Sequence, residues 1–205
     1  MNITTVVLTA PRPEETLGRT LKSLEAAGIF GAAICNDTAR SGHFRAYMTA
    51  LRCAVVRDAR AEAYFLVEDD VVFCRGLHEY LQRTLWPGLV RQIALCSPYS
   101  PRAYQQREPG WSDAQSHRGL YLAGSQAWLF PPRAARAILA EVAPRGSTHN
   151  ADWEIGKWAR ATGRQVWYHT PSLAQHEGVQ NSTLGNNGAT DIRYAVDFIG
   201  KDAYP

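Results

Sequence analysis

Three adjacent carboxylates, Glu68-Asp69-Asp70, are the residues of this sequence best suited to chemistry. They follow a continuous apolar run, residues 63–67, which is typical of a strand covered on both faces of a parallel sheet. Ligands of such sheets bind beyond the carboxyl ends of the strands, so these side chains are expected to face a crevice. Adjacent carboxylates repel one another at neutral pH unless a cation lies among them, and oxygen ligands favour Mg²⁺ or Mn²⁺. The triplet therefore predicts a divalent metal site, with a solvated polar turn as the alternative.

The elements that would position this triplet are indicated by apolar runs that alternate with helical repeats over the first hundred residues. Four short apolar runs predict strands, at residues 6–8, 32–35, 63–67 and 93–96. Between them, leucine, methionine and phenylalanine residues recur at helical spacing, which predicts three intervening helices. Strands that alternate with helices in this way predict a right-handed βαβ series with a parallel sheet and helices on its faces.

The second half of the sequence is expected to extend the sheet and to supply loops. Residues 97–118 are rich in Pro, Tyr, Gln, Arg and Ser without periodicity, and we expect them to form a lid or an acceptor loop. Later patterns predict a strand interrupted by small residues, two helices and a last strand, at residues 121–130, 132–142, 152–163 and 166–168. Either Asp152 or Asn150 can cap the second of these helices. Residues 181–205 contain several glycines and are expected to wrap irregularly, with room for one short helix.

Composition restricts the class of protein. The 205 residues are 45% hydrophobic and 20% charged, which excludes general disorder and fits one domain spanning residues 1–205. The net charge of +3 is spread without runs, too weak a signal for nucleic-acid binding. No apolar run approaches the roughly 20 residues of a membrane span, and no secretory pattern opens the chain, so we expect a cytoplasmic location. The four cysteines lack C-x-x-C spacing and are expected to be free thiols.

Taken in order, these pieces resemble glycosyltransferases of the GT-A fold. The matching segments are Val6 to Arg12, Asn36-Asp37-Thr38, Leu66 to Asp70, Gly124 to Ala127, Asp152, and Pro171 to Gly178. The acidic triplet resembles the D-x-D-type motif, in the form found in inverting N-acetylglucosaminyltransferases. The resemblance implies a Rossmann-like, three-layer α/β/α sandwich with a mostly parallel, mixed central sheet. Residues 1–100 would bind the nucleotide-sugar, residues 101–185 would form the acceptor and catalytic half, and residues 186–205 would be a C-terminal tail.

The resemblance also implies a role for each member of the triplet. Asp70 would ligate the metal directly, while Glu68 and Asp69 would face the ribose and the donor sugar. His176, in a short loop bounded by Pro171 and followed by glycine, resembles a late histidine that joins the metal or the diphosphate. A neutral imidazole is a good Mn²⁺ ligand, although a lone histidine is more often structural.

The nucleotide would be bound by residues that follow the first two strands. Asp37, which ends the second strand, would meet the nucleobase or the ribose, as acidic residues do at that position in dinucleotide folds. Thr9, Pro11 and Arg12 would line the base pocket. Arg45 is a further candidate for this site. For both arginines, a solvated surface position is the alternative.

Acceptor activation requires a carboxylate that takes the proton of the attacking hydroxyl. Asp152 is the candidate for this base, because it begins a helix after the polar segment 146–151 and GT-A enzymes have their base at a comparable helix start. Glu154 is the alternate. Aspartate is also a favoured helix cap, so a purely structural role is the competing hypothesis for Asp152.

Small and aromatic residues suggest where the sugars would lie. Gly124-Ser125 interrupts a strand, which fits either close approach of the donor sugar or a bulge with tight packing. Trp111 and Trp128 could stack on a sugar face, with Trp111 expected to be exposed and Trp128 buried. His117 and His149 are candidates for the acceptor side.

The predicted function is metal-dependent transfer of a sugar from a nucleotide-diphospho-sugar, expected to be a UDP-sugar, to a hydroxyl acceptor with inversion. The cofactor would be Mn²⁺ or Mg²⁺, and the acceptor a glycan, a lipid-linked precursor or a protein. The small acceptor half predicts an open face completed by the substrate, by a second subunit in a homodimer or by a partner protein. The expected setting is the bacterial cytoplasm. The alternatives are a nucleotidyltransferase, against which the glycine-poor segment 9–13 argues, and a non-catalytic nucleotide-sugar-binding module.

Overall fold

A computed structural model describes most of the chain: residues 1–12, 15–101, 108–114, 122–177 and 194–205. Nine strands lie within these ranges: β1 Ile3–Thr9, β2 Ala33–Asn36, β3 Ala63–Glu68, β4 Val71–Phe73, β5 Ile93–Ser97, β6 Gly110–Asp113, β7 Ala127–Phe130, β8 Gln165–Thr170 and β9 Ala174–His176. The same ranges contain five α-helices: α1 Leu17–Ala26, α2 His43–Arg57, α3 Leu77–Thr84, α4 Pro132–Glu141 and α5 Ala151–Ala161.

Seven of the strands form one central sheet in the order β2-β1-β3-β7-β5-β8-β6. β1 pairs in parallel with β2 and β3, and β5 pairs in parallel with β8. β7 is antiparallel to both β3 and β5, and β6 is antiparallel to β8. The predicted sandwich with a mostly parallel, mixed sheet is therefore confirmed.

A strand from the second half interrupts the parallel series of the first half at one point. The fourth predicted strand, β5, does not extend the parallel series beside β3, because β7 from the second half lies between them. β7 is the fully buried run Ala127-Trp128-Leu129-Phe130, which fills this central position with large apolar side chains. Apolar patterning identifies a buried strand, but it does not say which strand will be its neighbour.

The side chains of β3 explain why helices cover both faces of the central sheet. Tyr64 and Leu66 pack on the side of α2, α4 and α5, while Phe65 and Val67 pack on the side of α1 and α3. All four are at most 1% exposed. Because burying such a side chain contributes roughly 1.5–3 kcal/mol, a strand that is apolar on both faces requires a helical layer on each side.

Helix α2 supplies both packing and part of the site. Phe44, Tyr47, Met48 and Leu51 recur at i, i+3, i+4 and i+7, and all four are buried against the sheet. The helix begins after Gly42, whose φ of 93° lies in the region that favours glycine. This glycine lets the chain turn sharply from the end of β2 into α2.

A two-stranded ribbon, β4 paired with β9, corrects the prediction that His176 lies in a loop. Val71 pairs with His176 and Phe73 pairs with Ala174 in antiparallel register. Helix α1 supports the ribbon, because the Val71 N–H donates to the Thr20 hydroxyl at 3.2 Å. The acidic triplet directly precedes β4, so this pairing brings His176 beside it.

The predicted lid is also corrected in part. Residues 110–113 form β6 at the edge of the central sheet, paired with β8, instead of an irregular loop. Residues 102–107 and 115–118 of that segment lie outside the described residues. The interrupted strand predicted over residues 121–130 is shorter than expected, since β7 begins at Ala127.

The described end of the tail, residues 194–205, contains no helix. It packs against the core, with Ala195 buried and the Tyr204 ring lying on Gly76. Residues 181–193 of the predicted tail lie outside the described residues. Within the described part of the chain, none of the helices has the length and apolar character needed to cross a bilayer.

Candidate functional site

A cavity of about 400 Å³ lies beyond the carboxyl ends of β1, β2 and β3. We call it the first cavity. Thr9, Asp37 and Glu68 reach it because the carboxyl ends of parallel strands meet at one edge of the sheet. Gly124 and Ser125 reach the same edge because β7 runs antiparallel to β3, so that the segment before β7 begins there.

Most of the predicted site residues converge on this cavity. The ten that line it are Thr9, Arg12, Asp37, Glu68, Asp69, Asp70, Gly124, Ser125, Asp152 and His176. Pro11, Arg45 and Glu154 are not among its lining residues.

Glu68, Asp70 and His176 form a group that could hold a metal ion. One ligand atom of each lies within 4.8 Å of those of the other two. His176 Nε2 is 3.2 Å from Asp70 Oδ2. The other Asp70 oxygen, Oδ1, is buried and has no hydrogen-bond partner among the described residues. A buried carboxylate oxygen is costly unless it is paired, and two carboxylates with an imidazole are a donor set suited to Mn²⁺. The residues present therefore fit a divalent metal.

Arg12 bridges two carboxylates of the triplet, those of Asp69 and Asp70. Its guanidinium donates to Asp70 Oδ2 at 2.9 Å and also pairs with Asp69. Its side chain is only 11% exposed, so it is not the solvated surface arginine that was the alternative. Three carboxylates against one guanidinium leave about two negative charges at this position, which a divalent cation would balance.

The concentration of carboxylates affects the pKa of Asp69. Burial raises the pKa of Asp69 to about 6, and the carboxylates of Asp70 and Glu68 add to the shift. The Thr9 hydroxyl, which donates to Asp69, and the Arg12 guanidinium oppose it. A carboxyl that is only 1% exposed and lies beside two others is easier to ionise when more positive charge is nearby.

A histidine that sequence reasoning passed over, His43, lies at the centre of the site. Its Nε2 is 2.9 Å from the Ser125 hydroxyl oxygen and 3.7 Å from Glu68 Oε1. Ser125 and Tyr47 both donate to that same Glu68 oxygen, Tyr47 at 2.8 Å. These contacts hold Glu68 in place beside Asp70.

The second ring nitrogen of His43 connects this network to helix α5. The N–H of Ala151, the first residue of α5, donates to His43 Nδ1 at 2.9 Å. Because Nδ1 accepts this bond, a neutral His43 carries its proton on Nε2 and donates it to Ser125. His43 therefore cannot remove the Ser125 proton, and the two residues do not form an activated nucleophile. A signal for His43 existed in the sequence, because it begins the helix that follows the second predicted strand.

The loop after β2 is held by Asp37. Both of its carboxylate oxygens accept the Ser41 N–H, at 3.0 and 2.8 Å. Arg40, which lines the first cavity, donates to the Pro11 carbonyl at 3.0 Å. Pro11 itself is exposed, so its contribution to the wall is to position Arg40 through this backbone contact.

The two candidate bases on α5 have different surroundings. Asp152 lies in the first turn of the helix and lines the first cavity. Glu154 instead accepts a hydrogen bond from the Ser147 hydroxyl at 2.9 Å and lies 3.4 Å from the Lys157 ammonium. Asn150, at the N-cap, makes no side-chain cap bond. Only Asp152 of the two carboxylates is placed where it can meet a ligand in that cavity.

The backbone conformation and the neighbours of residue 124 favour a glycine at this position. Its φ of 75° is in the region that favours glycine, and a Cβ there would clash with the Gln126 side chain and crowd the Tyr99 ring at 3.2 Å. The positive φ, together with the close Tyr99 ring, therefore favours glycine here without any ligand. The residue still lines the first cavity beside Ser125.

The tryptophans are arranged differently from expectation. Trp128 is fully buried, as predicted. Trp111 is not free in a loop, because it packs edge-on against His169 with ring centroids 5.0 Å apart. The exposed tryptophan is Trp153, which is 59% exposed on α5, between Asp152 and Glu154.

Solved structures with a similar fold include two that align over most of this chain. The crystal structure of A197 from STIV aligns with a TM-score of 0.56 at 12% identity, covering 84% of this chain and 85% of that chain. That of a glycosyltransferase involved in the glycosylation of the major capsid of PBCV-1 aligns with a TM-score of 0.50 at 11% identity, covering 82% of both. No family model and no curated protein sequence matches the chain. At these identities the likeness is one of fold, and the chain has a GT-A-like, Rossmann-type α/β architecture.

Proposed function

We propose that this protein is a metal-dependent glycosyltransferase. It would move a sugar from a nucleotide-diphospho-sugar, expected to be a UDP-sugar, to a hydroxyl acceptor with inversion. The observation that supports this most is the convergence of the acidic triplet, His176 and Asp152 on one cavity at the strand ends of a GT-A-like sheet. A volume of about 400 Å³ lies within the usual range of small-molecule sites.

The metal site would consist of Glu68, Asp70 and His176. When bound there, Mn²⁺ or Mg²⁺ would act as a Lewis acid toward the leaving nucleoside diphosphate. The chain contributes the orientation of the ligands: Ser125 and Tyr47 hold Glu68, and the β4–β9 pairing holds His176. Such supporting contacts fix ligand direction and affinity.

The nucleotide would lie along the ends of β1 and β2. Asp37 has a carboxylate at the cavity wall that can accept hydrogen bonds from the hydroxyls of a ribose, and Thr9 and Arg12 line the same cavity. Arg12 keeps Asp69 and Asp70 in place while it adds positive charge near the expected diphosphate. Arg40, held by its bond to Pro11, adds a second guanidinium to the same wall.

Asp152 would be the general base. Inversion requires a carboxylate that accepts the acceptor proton while the oxygen attacks the anomeric carbon from the side opposite the diphosphate. Asp152 faces the first cavity from α5, whereas the triplet faces it from β3, so the two acidic groups approach from different elements. The His43 bond to Ala151 holds the start of α5 and so the position of Asp152.

The test is a screen of nucleotide sugars with Mn²⁺ that measures the nucleoside diphosphate released by slow hydrolysis. We expect release from one class of donor, and its loss on chelation of the metal. Release of pyrophosphate from a nucleoside triphosphate and a sugar phosphate would instead identify a nucleotidyltransferase. Donor binding by calorimetry without turnover of any kind would identify a non-catalytic binding module.

A further inference from the structure

A second cavity of about 570 Å³ lies between α2 and the segment that leads into α5. We call it the second cavity. Arg45, which the sequence assigned to the nucleotide site, lines this cavity together with Arg52 and His149. No aspartate or glutamate is found among the described residues that line it. The wall therefore combines two permanent positive charges with no lining carboxylate.

The arginines are arranged by the helix that carries them. Arg45, Thr49 and Arg52 recur at i, i+4 and i+7, which places them along one face of α2. All three are exposed, while the opposite face of the helix is buried against the sheet. In the described part of the chain neither arginine forms an ion pair. Their guanidinium groups are thus available to a ligand, and guanidinium binds phosphate and carboxylate through paired hydrogen bonds.

The opposite wall is made of polar groups from the loop before α5. Ser147, Thr148 and His149 line it, and the Ser147 hydroxyl oxygen accepts the His149 N–H at 3.0 Å. The nearby carboxylate of Glu154 is engaged by Ser147 and lies 3.4 Å from the Lys157 ammonium. This engagement directs the Glu154 carboxylate at Ser147 and Lys157.

The two cavities adjoin each other. Gly42 and His43 line both of them. The polar loop of the second cavity continues directly into α5, where Asp152 lines the first cavity. Trp153 follows, largely exposed, with its ring centroid 6.1 Å from that of His149. An exposed tryptophan of this kind can pack on the apolar face of a sugar ring.

From this arrangement we infer that the second cavity binds an anionic group of the acceptor, a phosphate or a carboxylate carried by the acceptor glycan. The inference rests on the proposed function and narrows its acceptor to an acidic sugar. The anion lies against Arg45 and Arg52, the sugar ring lies on Trp153, and a hydroxyl of the sugar reaches Asp152 in the first cavity.

A binding experiment tests the anion site without donor or metal. Wild-type protein is titrated with glucose 6-phosphate, glucuronate and glucose, which separates phosphate, carboxylate and neutral sugar. We expect wild-type protein to bind at least one of the acidic sugars measurably. The double variant Arg45→Gln/Arg52→Gln should bind that sugar about tenfold more weakly, because it loses hydrogen bonds to a charged group. The control is the double variant Arg57→Gln/Arg60→Gln, which also removes two positive charges, from exposed arginines at and just after the end of α2 that do not line the cavity. Equal binding of glucose and both acidic sugars, or equal weakening by the control, would overturn the inference.

A kinetic experiment separates this inference from the proposed function. With the donor identified by the hydrolysis screen, the double variant should retain hydrolysis but show a raised KM for acidic acceptors and an unchanged KM for neutral ones. Hydrolysis with no arginine-dependent acceptor preference would reject the anion site and leave the glycosyltransferase intact. Arginine-dependent anion binding without any nucleotide-sugar turnover would reject the glycosyltransferase and leave the anion site standing.

Discussion

The two cavities are built in different ways. The first is lined by side chains that hold one another: Arg12 bridges two carboxylates, and His43 links Ser125 to the start of α5. The second presents Arg45 and Arg52, exposed on one helix face, and neither forms an ion pair with another described residue. Buried networks respond to the loss of one member as a unit, whereas exposed charges act nearly independently. Substitutions should therefore have large, coupled effects in the first cavity and smaller, additive effects in the second.

The largest effect is expected for Asp70→Ala. This change removes the carboxylate that contacts both Arg12 and His176, and it leaves Arg12 with one partner fewer. We expect loss of metal-dependent nucleotide binding, by about a hundredfold or more, which calorimetry with UDP and Mn²⁺ would measure. A matched control is Asp202→Ala, which removes a 70% exposed carboxylate far along the chain. Unchanged UDP binding in Asp70→Ala would contradict the proposed metal site.

The next largest effect is expected for Asp152→Asn. The amide keeps the shape of the side chain but cannot take a proton, so transfer should fall by about a hundredfold while donor binding is retained. Rates of transfer and of donor binding, measured separately, check this. Glu154→Gln provides the comparison on the same helix, because Glu154 is engaged by Ser147. If transfer fell in Glu154→Gln and not in Asp152→Asn, the base would be Glu154.

Two substitutions of His43 test how far the first cavity is coupled. In the His43→Asn variant, the amide oxygen can replace Nδ1 and accept the Ala151 N–H. In the His43→Gln variant, the amide nitrogen can replace Nε2 and donate to Ser125. We expect His43→Asn to weaken metal affinity more than transfer, and His43→Gln to do the reverse, each by about tenfold. Identical losses in both variants would mean that His43 does not act through two separate contacts.

The smallest effect is a change in stability at Asp69. Its pKa is raised from an ordinary value of 3.8 to about 6, so in the absence of divalent cations folding favours its protonated form. The free energy of unfolding of the wild type, measured relative to that of Asp69→Asn, should therefore fall as pH rises from about 4 to about 6. Above about pH 6 the difference between the two proteins should stay constant. The shift corresponds to at most about 3 kcal/mol, or several degrees in Tm. Thermal unfolding at several pH values with a chelator measures it, and a difference independent of pH would refute it.

Much of the architecture could be predicted because it depends on local patterning. The apolar runs and helical repeats located β1, β2, β3 and β5 and the helices between them within a few residues. The insertion of β7 and the β4–β9 ribbon were not predicted, because pairing between distant strands leaves no periodic signal in either strand. The sequence predicts loops where the short strands β6 and β9 lie, for the same reason.

Some residues of the candidate site could be placed from the sequence, and others could not. The acidic triplet, Asp37 and Thr9 could be placed at one edge because strand ends in a parallel sheet meet there. Arg45 could not be placed, since the rotation of about 100° between neighbouring helical residues decides whether a side chain faces the first cavity or the second. His43 was missed because its role comes from contacts to Ser125 and Ala151, which are 82 and 108 residues away along the chain.

By itself, the sequence determined the alternation of strands and helices and the concentration of acidic side chains at the strand ends. These follow from residue periodicity and from the direction of the chain. Only the tertiary structure decided that His176 lies beside Asp70, that Arg12 pairs with the triplet, and that a cationic cavity adjoins the acidic one. Those arrangements depend on strand register and on which helix face meets the sheet. Both are set by the packing of the whole core.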